Sequence, residues 1–197
     1  MSPTEAPPPL VLATRNQHKL AEVQEILDGW KVLPLPDEIV LPPEDGDTFV
    51  ANAAGKARAA HAATGMAVIA DDSGIEAAAL GGRPGVYSAR YAGLDATDEE
   101  NLGLLLDEVG RHDDRRVAYV CAIVHISAEG EESIREARCE GTLADEPRGD
   151  GGFGYDPAFV PDDFDDGRTM AELTADEKHS ISHRGRAVRA IAEAIGR

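Results

Sequence analysis

The sequence predicts an α/β protein built on one mixed sheet, and three observations carry that prediction. Short apolar runs at Leu10 to Ala13 and Ala67 to Ala70 end abruptly in polar residues, as strands covered on both faces do. Helical patterns follow or separate these runs, beginning near Leu20 and Thr48. Two longer runs, Arg116 to Ile126 and Ser133 to Thr142, are joined through Ser127-Ala128-Glu129-Gly130 and read as a hairpin, which makes the sheet mixed. A chain of 197 residues fits one domain over 1–197, behind a proline-rich leader at 1–9 expected to be disordered.

The first strand runs into Thr14-Arg15-Asn16-Gln17-His18-Lys19 and then a helix from about Leu20 to Leu27, with Leu20, Val23, Ile26 and Leu27 on one face. A strand, a polar turn and a helix start can present backbone N–H groups to phosphate oxygens. From this segment alone the plainer reading is an ordinary βα turn capped by Thr14 or Asn16. No GxxxxGK[ST] pattern is present, so the turn is not a P-loop. Lys31 to Leu35 is a second strand, and Pro34, Pro36, Pro42 and Pro43 keep the next stretch extended up to Glu44-Asp45-Gly46-Asp47.

The helix from about Thr48 to Ala63 carries Asn52 and Lys56 one turn apart on the same face, and Gly65 ends it. The strand Ala67 to Ala70 then places Asp71 and Asp72 at its carboxyl end, where open α/β sheets bind ligands. Paired carboxylates there can hold a hard cation or position a water. The plainer reading makes Asp72 or Ser73 the cap of a short helix at Ile75 to Leu80. Gly81-Gly82-Arg83-Pro84-Gly85 specifies an unusual backbone path behind it.

Asp95 or Thr97 starts the next helix, whose apolar side is Leu102, Leu105, Leu106 and Val109. Gly149, Gly151 and Gly154 formally match G-x-G-x-x-G, but Pro157 and Ala158-Phe159-Val160 lead into an extended segment rather than a helix, which excludes the dinucleotide fingerprint. Phe153 and Tyr155 among these glycines read either as an exposed stacking surface for a planar ring or as a plug under the loop. The acidic run at Asp162, Asp163, Asp165 and Asp166 lacks calcium-loop spacing and reads as a solvated turn. In the last segment Ser182 is a candidate cap for a helix burying Val188, Ile191 and Ile195. His179 and His183 are four apart, but a break near Ile181 argues against a metal pair on one helix. Lys178, His183 and Arg184 are better anion and base donors.

Composition narrows the function. A net charge of −18 argues against a nucleic-acid binder, and any polyphosphate ligand needs a local gathering of cations. Only four lysines exist, Lys19, Lys31, Lys56 and Lys178, and three fall in or beside the stretches above. No apolar run approaches membrane-spanning length, and the start lacks the pattern of a secretory signal, so the expected location is the cytoplasm, without membrane partners. Cys121 and Cys139 lack metal or redox spacing and are expected to be buried thiols.

Taken together and in order, these segments resemble the non-standard purine nucleoside triphosphate pyrophosphatases, the Ham1-like dITP/XTP family. The motifs are Thr14 to Lys19; Thr48-Phe49 with Asn52-Ala53 and Lys56-Ala57; Asp71-Asp72-Ser73-Gly74; Leu80 to Arg90; Gly151-Gly152-Phe153-Gly154-Tyr155-Asp156-Pro157; and Ser182-His183-Arg184. Arg15 stands where the family often has Gly or Ser. The resemblance implies an elongated α/β fold with a central mixed, twisted sheet flanked by helices, two lobes around a substrate cleft, and a homodimer. It also implies Mg²⁺-dependent cleavage of ITP, dITP or XTP between the α and β phosphates, giving monophosphate and pyrophosphate.

On that resemblance Asp72 and Glu44 are the expected Mg²⁺ ligands. Asp72 is the expected base for the attacking water, with Asp71 the lesser candidate. Thr14, Arg15, Asn16, Gln17, His18, Lys19, Ser73, Phe153, Gly154, Tyr155, Asp156, Lys178, His183 and Arg184 are expected to bind substrate. Lys19, Lys178 and Lys56 would stabilise charge on the phosphates, Phe153 would stack on the base, and His183 and Arg184 would donate to its 6-carbonyl. Three rivals remain: a Maf-like nucleotide pyrophosphatase, a nucleotide-binding regulator without turnover, and a phosphomonoesterase using Asp71 as nucleophile.

Overall fold

A computed structural model describes residues 9–196, so the leader lies outside the described residues except for Pro9, which is exposed. Six strands form one open sheet in the order β2-β1-β3-β4-β5-β6. The strands are β1 (Leu10–Leu12), β2 (Val32–Pro34), β3 (Ala67–Ala77), β4 (Arg116–Ile126), β5 (Glu132–Leu143) and β6 (Phe159–Pro161). β1 pairs in parallel with both β2 and β3, in a register that sets Leu10 opposite Val32 and Ala67. β5 and β6 are antiparallel, so the sheet is mixed, as expected. The helices are α1 (Gln17–Ile26), α2 (Phe49–Thr64), α3 (Asp98–Val109), α4 (Ala175–Ile181) and α5 (His183–Ile195).

The chain divides into two compact units. One comprises Met1–Asp72, Ala122–Glu136 and Arg184–Arg197, and the other Ser73–Cys121 and Ala137–His183. The core of the first gathers Val11, Val68, Ala70 and Val124 against the small residues Ala53, Ala57 and Ala60 of α2. Alanines on that helix let its axis lie close to the strands. The core of the second is larger-grained, with Ile75, Leu102, Leu105, Tyr119, Phe159 and Met170. Cys121 and Cys139 are buried and unbridged, as the sequence predicts.

Two local predictions fail at the same place. β3 does not stop at Ala70 but continues through Asp71 and Asp72 to Ala77, and no helix occupies Ile75 to Leu80; a 3-10 turn at Ala78–Leu80 follows directly. Neither Asp72 nor Ser73 is therefore a helix cap. Asp, Ser and Gly are poor strand formers, and sequence alone reads them as a turn. The extension is stabilised from outside the strand. Ile75 N–H donates to Ser88 Oγ at 2.9 Å, and Ala77 N–H donates to the Arg83 carbonyl at 3.0 Å. The glycine loop thus folds back onto the end of β3, with Gly81, Gly82 and Gly85 in the left-handed region.

The other helix boundaries follow their caps. Thr48 Oγ1 accepts from Ala51 N–H at the start of α2, and Gly65 closes it with φ 64°. Thr97 starts α3 with Glu100 completing a reciprocal capping box. Ser182 is extended and immediately precedes α5, the position expected of its cap, and it separates α4 from α5, so His179 and His183 lie on different helices. On α5 Val188 and Ile191 are fully buried and Ile195 is half-buried.

Candidate active site

Chain topology explains why the two adjacent aspartates meet different partners. β2 and β3 lie on opposite sides of β1, so the crossovers through α1 and α2 run in opposite directions along the sheet. Right-handed crossovers then place those helices on opposite faces. Successive strand residues also point to opposite faces. Accordingly Asp71 meets Lys19 of α1, with Nζ 2.8 Å from Oδ2, and Arg184 of α5, with Nε 3.3 Å from the same oxygen. Arg184 also pairs with Glu22 of α1. Asp72 meets α2 instead: Asn52 Nδ2 donates to its Oδ2 at 2.9 Å, and Lys56 Nζ lies 4.0 Å from its Oδ1.

Lys56 is 5% exposed, far from the solvated lysine that a lone position on a helix leads one to expect. Its ammonium donates to the Asp71 carbonyl at 2.6 Å and pairs with Glu44. Asn52 accepts from Gly46 N–H through Oδ1 at 2.8 Å while donating to Asp72, so one carboxamide ties the acidic loop to the strand. A Cβ at Gly46 would lie 2.8 Å from that same oxygen, which reserves the position for glycine. Asn52 is marked in the sequence only by its spacing from Lys56 on one helical face, and no local pattern marks Gly46.

These surroundings separate the two acids electrostatically. Burial pushes the Asp71 carboxyl up, but the charges of Lys19, Arg184 and Lys56 more than reverse this and hold it well below the usual carboxylate range. Burial also pushes Asp72 up, and there Lys56 opposes it while the Glu44 charge adds to it, leaving the net shift upward. Lys56 itself would be lowered by burial, yet Asp71, Glu44 and Asp72 raise it on balance, so it stays an ammonium ion. Asp71 is thus a fixed counter-charge and a poor base, while Asp72 is the more basic of the two. Asp71 Oδ1 is buried with no hydrogen-bond partner among the described residues.

The turn after β1 is exposed from Arg15 to His18, but its backbone donors are committed. Asn16 is the N-cap of α1, and its Oδ1 accepts from the N–H groups of His18 at 2.9 Å and Lys19 at 3.2 Å. Thr14 Oγ1 accepts from Asn16 N–H at 3.1 Å. The expected cradle of open N–H groups is therefore largely filled by the protein's own side chains. Gln17 begins α1 beside this cap. Arg15 does not project as a phosphate ligand: its guanidinium donates to the carbonyls of Leu35, Pro36, Asp37 and Ile39 at 2.7–3.2 Å, bracing the segment after β2.

In the second unit the glycine-rich loop is organised by Asp156, which is 4% exposed. Its Oδ2 accepts from Phe153 N–H at 2.9 Å and from Lys178 Nζ at 2.9 Å, while Oδ1 accepts from Tyr119 OH at 3.1 Å. Phe153 is half-buried, with Lys178 Nζ 5.0 Å from its ring centre. Tyr155 takes the second of the two roles left open for these aromatics: it is buried as a plug and donates its OH to the Ser88 carbonyl at 2.7 Å. Of the two aromatics, only Phe153 can offer a surface. His183 stacks on Tyr119 with ring centres 4.6 Å apart, and Tyr119 stacks in turn on Phe159 at 4.4 Å. Ser73 follows Asp72 on β3 and is half-buried.

Gly152 has φ +72°, and a Cβ there would fall 2.1 Å from Asp156 Oδ2; Gly154 has φ +62°, with nothing within 4 Å of a Cβ. Gly152→Ala is therefore expected to cost roughly 2–4 kcal/mol, combining left-handed strain with displacement of Asp156. Gly154→Ala should cost only about 1–2 kcal/mol, the strain alone. Urea unfolding midpoints check the difference, and equal losses would contradict the packing argument.

An open α/β sheet with acids and lysines gathered beside its parallel strands defines a protein of the class that binds ligands at strand carboxyl ends. Residues 10–194 match the Ham1 family, and the chain belongs to that family. It is 50% identical over 198 residues to a dITP/XTP pyrophosphatase of Mycolicibacterium paratuberculosis, covering 95% of each chain. A dITP/XTP pyrophosphatase of Deinococcus radiodurans is 44% identical over 189 residues, with 95% of this chain and 92% of that one covered. Among solved structures, a HAM1 protein from Coxiella burnetii superposes with a TM-score of 0.87 at 40% identity, covering 96% of this chain and 99% of that one. The Ham1 protein of Staphylococcus aureus gives 0.86 at 38% identity, covering 95% and 98%.

Proposed function

We propose that the protein hydrolyses deaminated purine nucleoside triphosphates, dITP, ITP and XTP, to the monophosphate and pyrophosphate, and so keeps them out of DNA and RNA. The observation that carries this reading is the cluster of Lys56, Glu44, Asp72 and Asn52, in which two carboxylates meet one buried ammonium ion and a carboxamide. In the proposed reaction Asp72 takes a proton from water as the water oxygen bonds to phosphorus. The P–O bond bridging the α and β phosphates breaks, and pyrophosphate leaves with the bond electrons. Lys19 and Lys56 offset charge on the phosphate oxygens, and Thr14, Asn16, Gln17 and His18 line the turn that meets them.

The donor set fits Mg²⁺. Glu44 and Asp72 are hard oxygen ligands brought to one point by Lys56, and Mg²⁺ typically takes one or two carboxylates together with water and substrate phosphates. When bound, the ion would supply positive charge to the triphosphate and orient it. The paired acids Glu22, Glu44, Asp71 and Asp72 exceed the cations Lys19, Lys56 and Arg184 by one charge, which leaves electrostatic room for the ion.

For the base, Phe153 is the proposed stacking surface, and His183 and Arg184 the proposed donors to the 6-carbonyl. Adenine carries an amino group there, and a donor-lined site would leave its own groups unpaired against it. The role first expected for Lys178 shifts: its contacts with Asp156 and Phe153 favour holding the aromatic loop over contacting phosphate. On the family resemblance, the assembly is a homodimer and the location the cytoplasm; no helix among the described residues is long and apolar enough to cross a membrane.

Product identity tests the reading. Purified protein with Mg²⁺ and dITP, XTP, dGTP or dATP should release pyrophosphate from dITP and XTP, with dATP the poor substrate, and chelation should abolish release. Orthophosphate as the product would establish the phosphomonoesterase instead. Binding without turnover would establish the regulator.

A further inference from the structure

We infer that Asp98, the first residue of α3, is a positioning residue that latches the aromatic loop and thereby sets the Phe153 surface. Asp98 Oδ2 accepts from Gly154 N–H at 2.9 Å, across 56 residues of sequence. This carboxylate is not needed to start its own helix. Thr97 Oγ1 already accepts from Glu100 N–H at 3.2 Å, and Glu100 Oε2 accepts from Thr97 N–H at 2.8 Å, so the capping box is complete without it.

Three successive residues of the loop each carry one tether. Phe153 N–H is held by Asp156, Gly154 N–H by Asp98, and the Tyr155 hydroxyl by the Ser88 carbonyl. The outer two anchors, Asp156 and Tyr155, are buried and supported by packing. Gly154 differs: a Cβ there would meet nothing within 4 Å, so packing does not fix it and the hydrogen bond to an exposed side chain does. Its φ of +62° lies in the left-handed region open to glycine, and the bond to Asp98 leaves Phe153 between two fixed points. The Asp98 charge also reaches Tyr155, whose phenol is pushed up by burial first, with Tyr91 and Asp98 adding to the rise.

Releasing the latch should leave the fold and the phosphate chemistry intact and loosen the surface on which the base is proposed to stack, a role that rests on the pyrophosphatase reading. In Asp98→Ala we expect KM for dITP to rise roughly 3–10-fold with kcat within about twofold, the loss of one charge-assisted hydrogen bond at an exposed site. By NMR, the Gly154 amide should exchange with solvent faster in this variant. Asp98→Asn keeps an acceptor and should recover most of both effects. Glu99→Ala, which removes an acid from the same helical turn without touching the loop, should match wild type.

Unchanged KM and unchanged Gly154 exchange in Asp98→Ala would overturn the latch, as would an Asp98→Asn variant no better than Asp98→Ala. The exchange measurement needs no turnover. If the wild type released no pyrophosphate from dITP, the function would fall while amide exchange alone decided the latch.

Discussion

Asp72→Asn is expected to lower turnover of dITP by on the order of 10²–10⁴-fold while leaving the protein folded. The substitution is nearly isosteric, and the new carboxamide oxygen can still accept from Asn52 Nδ2, which now bonds Oδ2 at 2.9 Å. Stability should change by less than about 1 kcal/mol, because burial already disfavours the charge that is removed. What disappears is a proton acceptor and a hard metal ligand in one step. Steady-state pyrophosphate release together with a urea unfolding curve measures both quantities. A well-folded variant with near-normal turnover would remove Asp72 from the mechanism.

The neighbouring substitution is expected to behave in the opposite way. Asp71→Asn should destabilise the fold by about 3–5 kcal/mol, since it leaves buried cations without their counter-charge. Arg184 is 3% exposed, Lys19 Nζ stands 2.8 Å from the carboxylate, and Lys56 donates to the residue's own carbonyl. Glu22 still pairs with Arg184, which places the loss toward the lower end of that range. For a chain of 197 residues this corresponds to a fall in Tm of roughly 6–20 °C. A loss below about 1 kcal/mol would mean that the charge cluster is not the anchor described above. Together the two variants assign opposite tasks to adjacent identical side chains: one holds the first unit together, the other carries the proposed chemistry.

Much of the candidate site is legible in the residues themselves. Asp72 is singled out because two carboxylates follow an apolar run, and Lys56 and Asn52 because a helical turn separates them. Other residues are misread for reasons that local pattern cannot supply. Arg15 looks like a phosphate contact in a polar turn, yet it is satisfied by carbonyls from Leu35 to Ile39, twenty or more residues away. Tyr155 reads as surface or plug from its glycine neighbours alone, and its hydroxyl bond to the Ser88 carbonyl, 67 residues earlier, makes it the plug. In both cases a hydrogen bond to a distant partner decides what the local signal does not.

The sequence by itself determines the α/β class, the hairpin that makes the sheet mixed, the helix start near Thr48, the next start to Asp95 or Thr97, and the ordered motifs of the Ham1 family. These depend on short-range periodicity, capping chemistry and residue type, which act within a few positions. Only the tertiary structure decides that β3 continues through Asp71 and Asp72 and that these two face different helices. Sheet pairing overrides the turn propensity of an Asp-Asp-Ser-Gly stretch, and opposed crossovers around β1 supply cations to one face and the Asn52–Lys56 pair to the other. The physical reason is that a strand alternates its faces residue by residue, while what covers each face is set by chain topology rather than by neighbouring sequence.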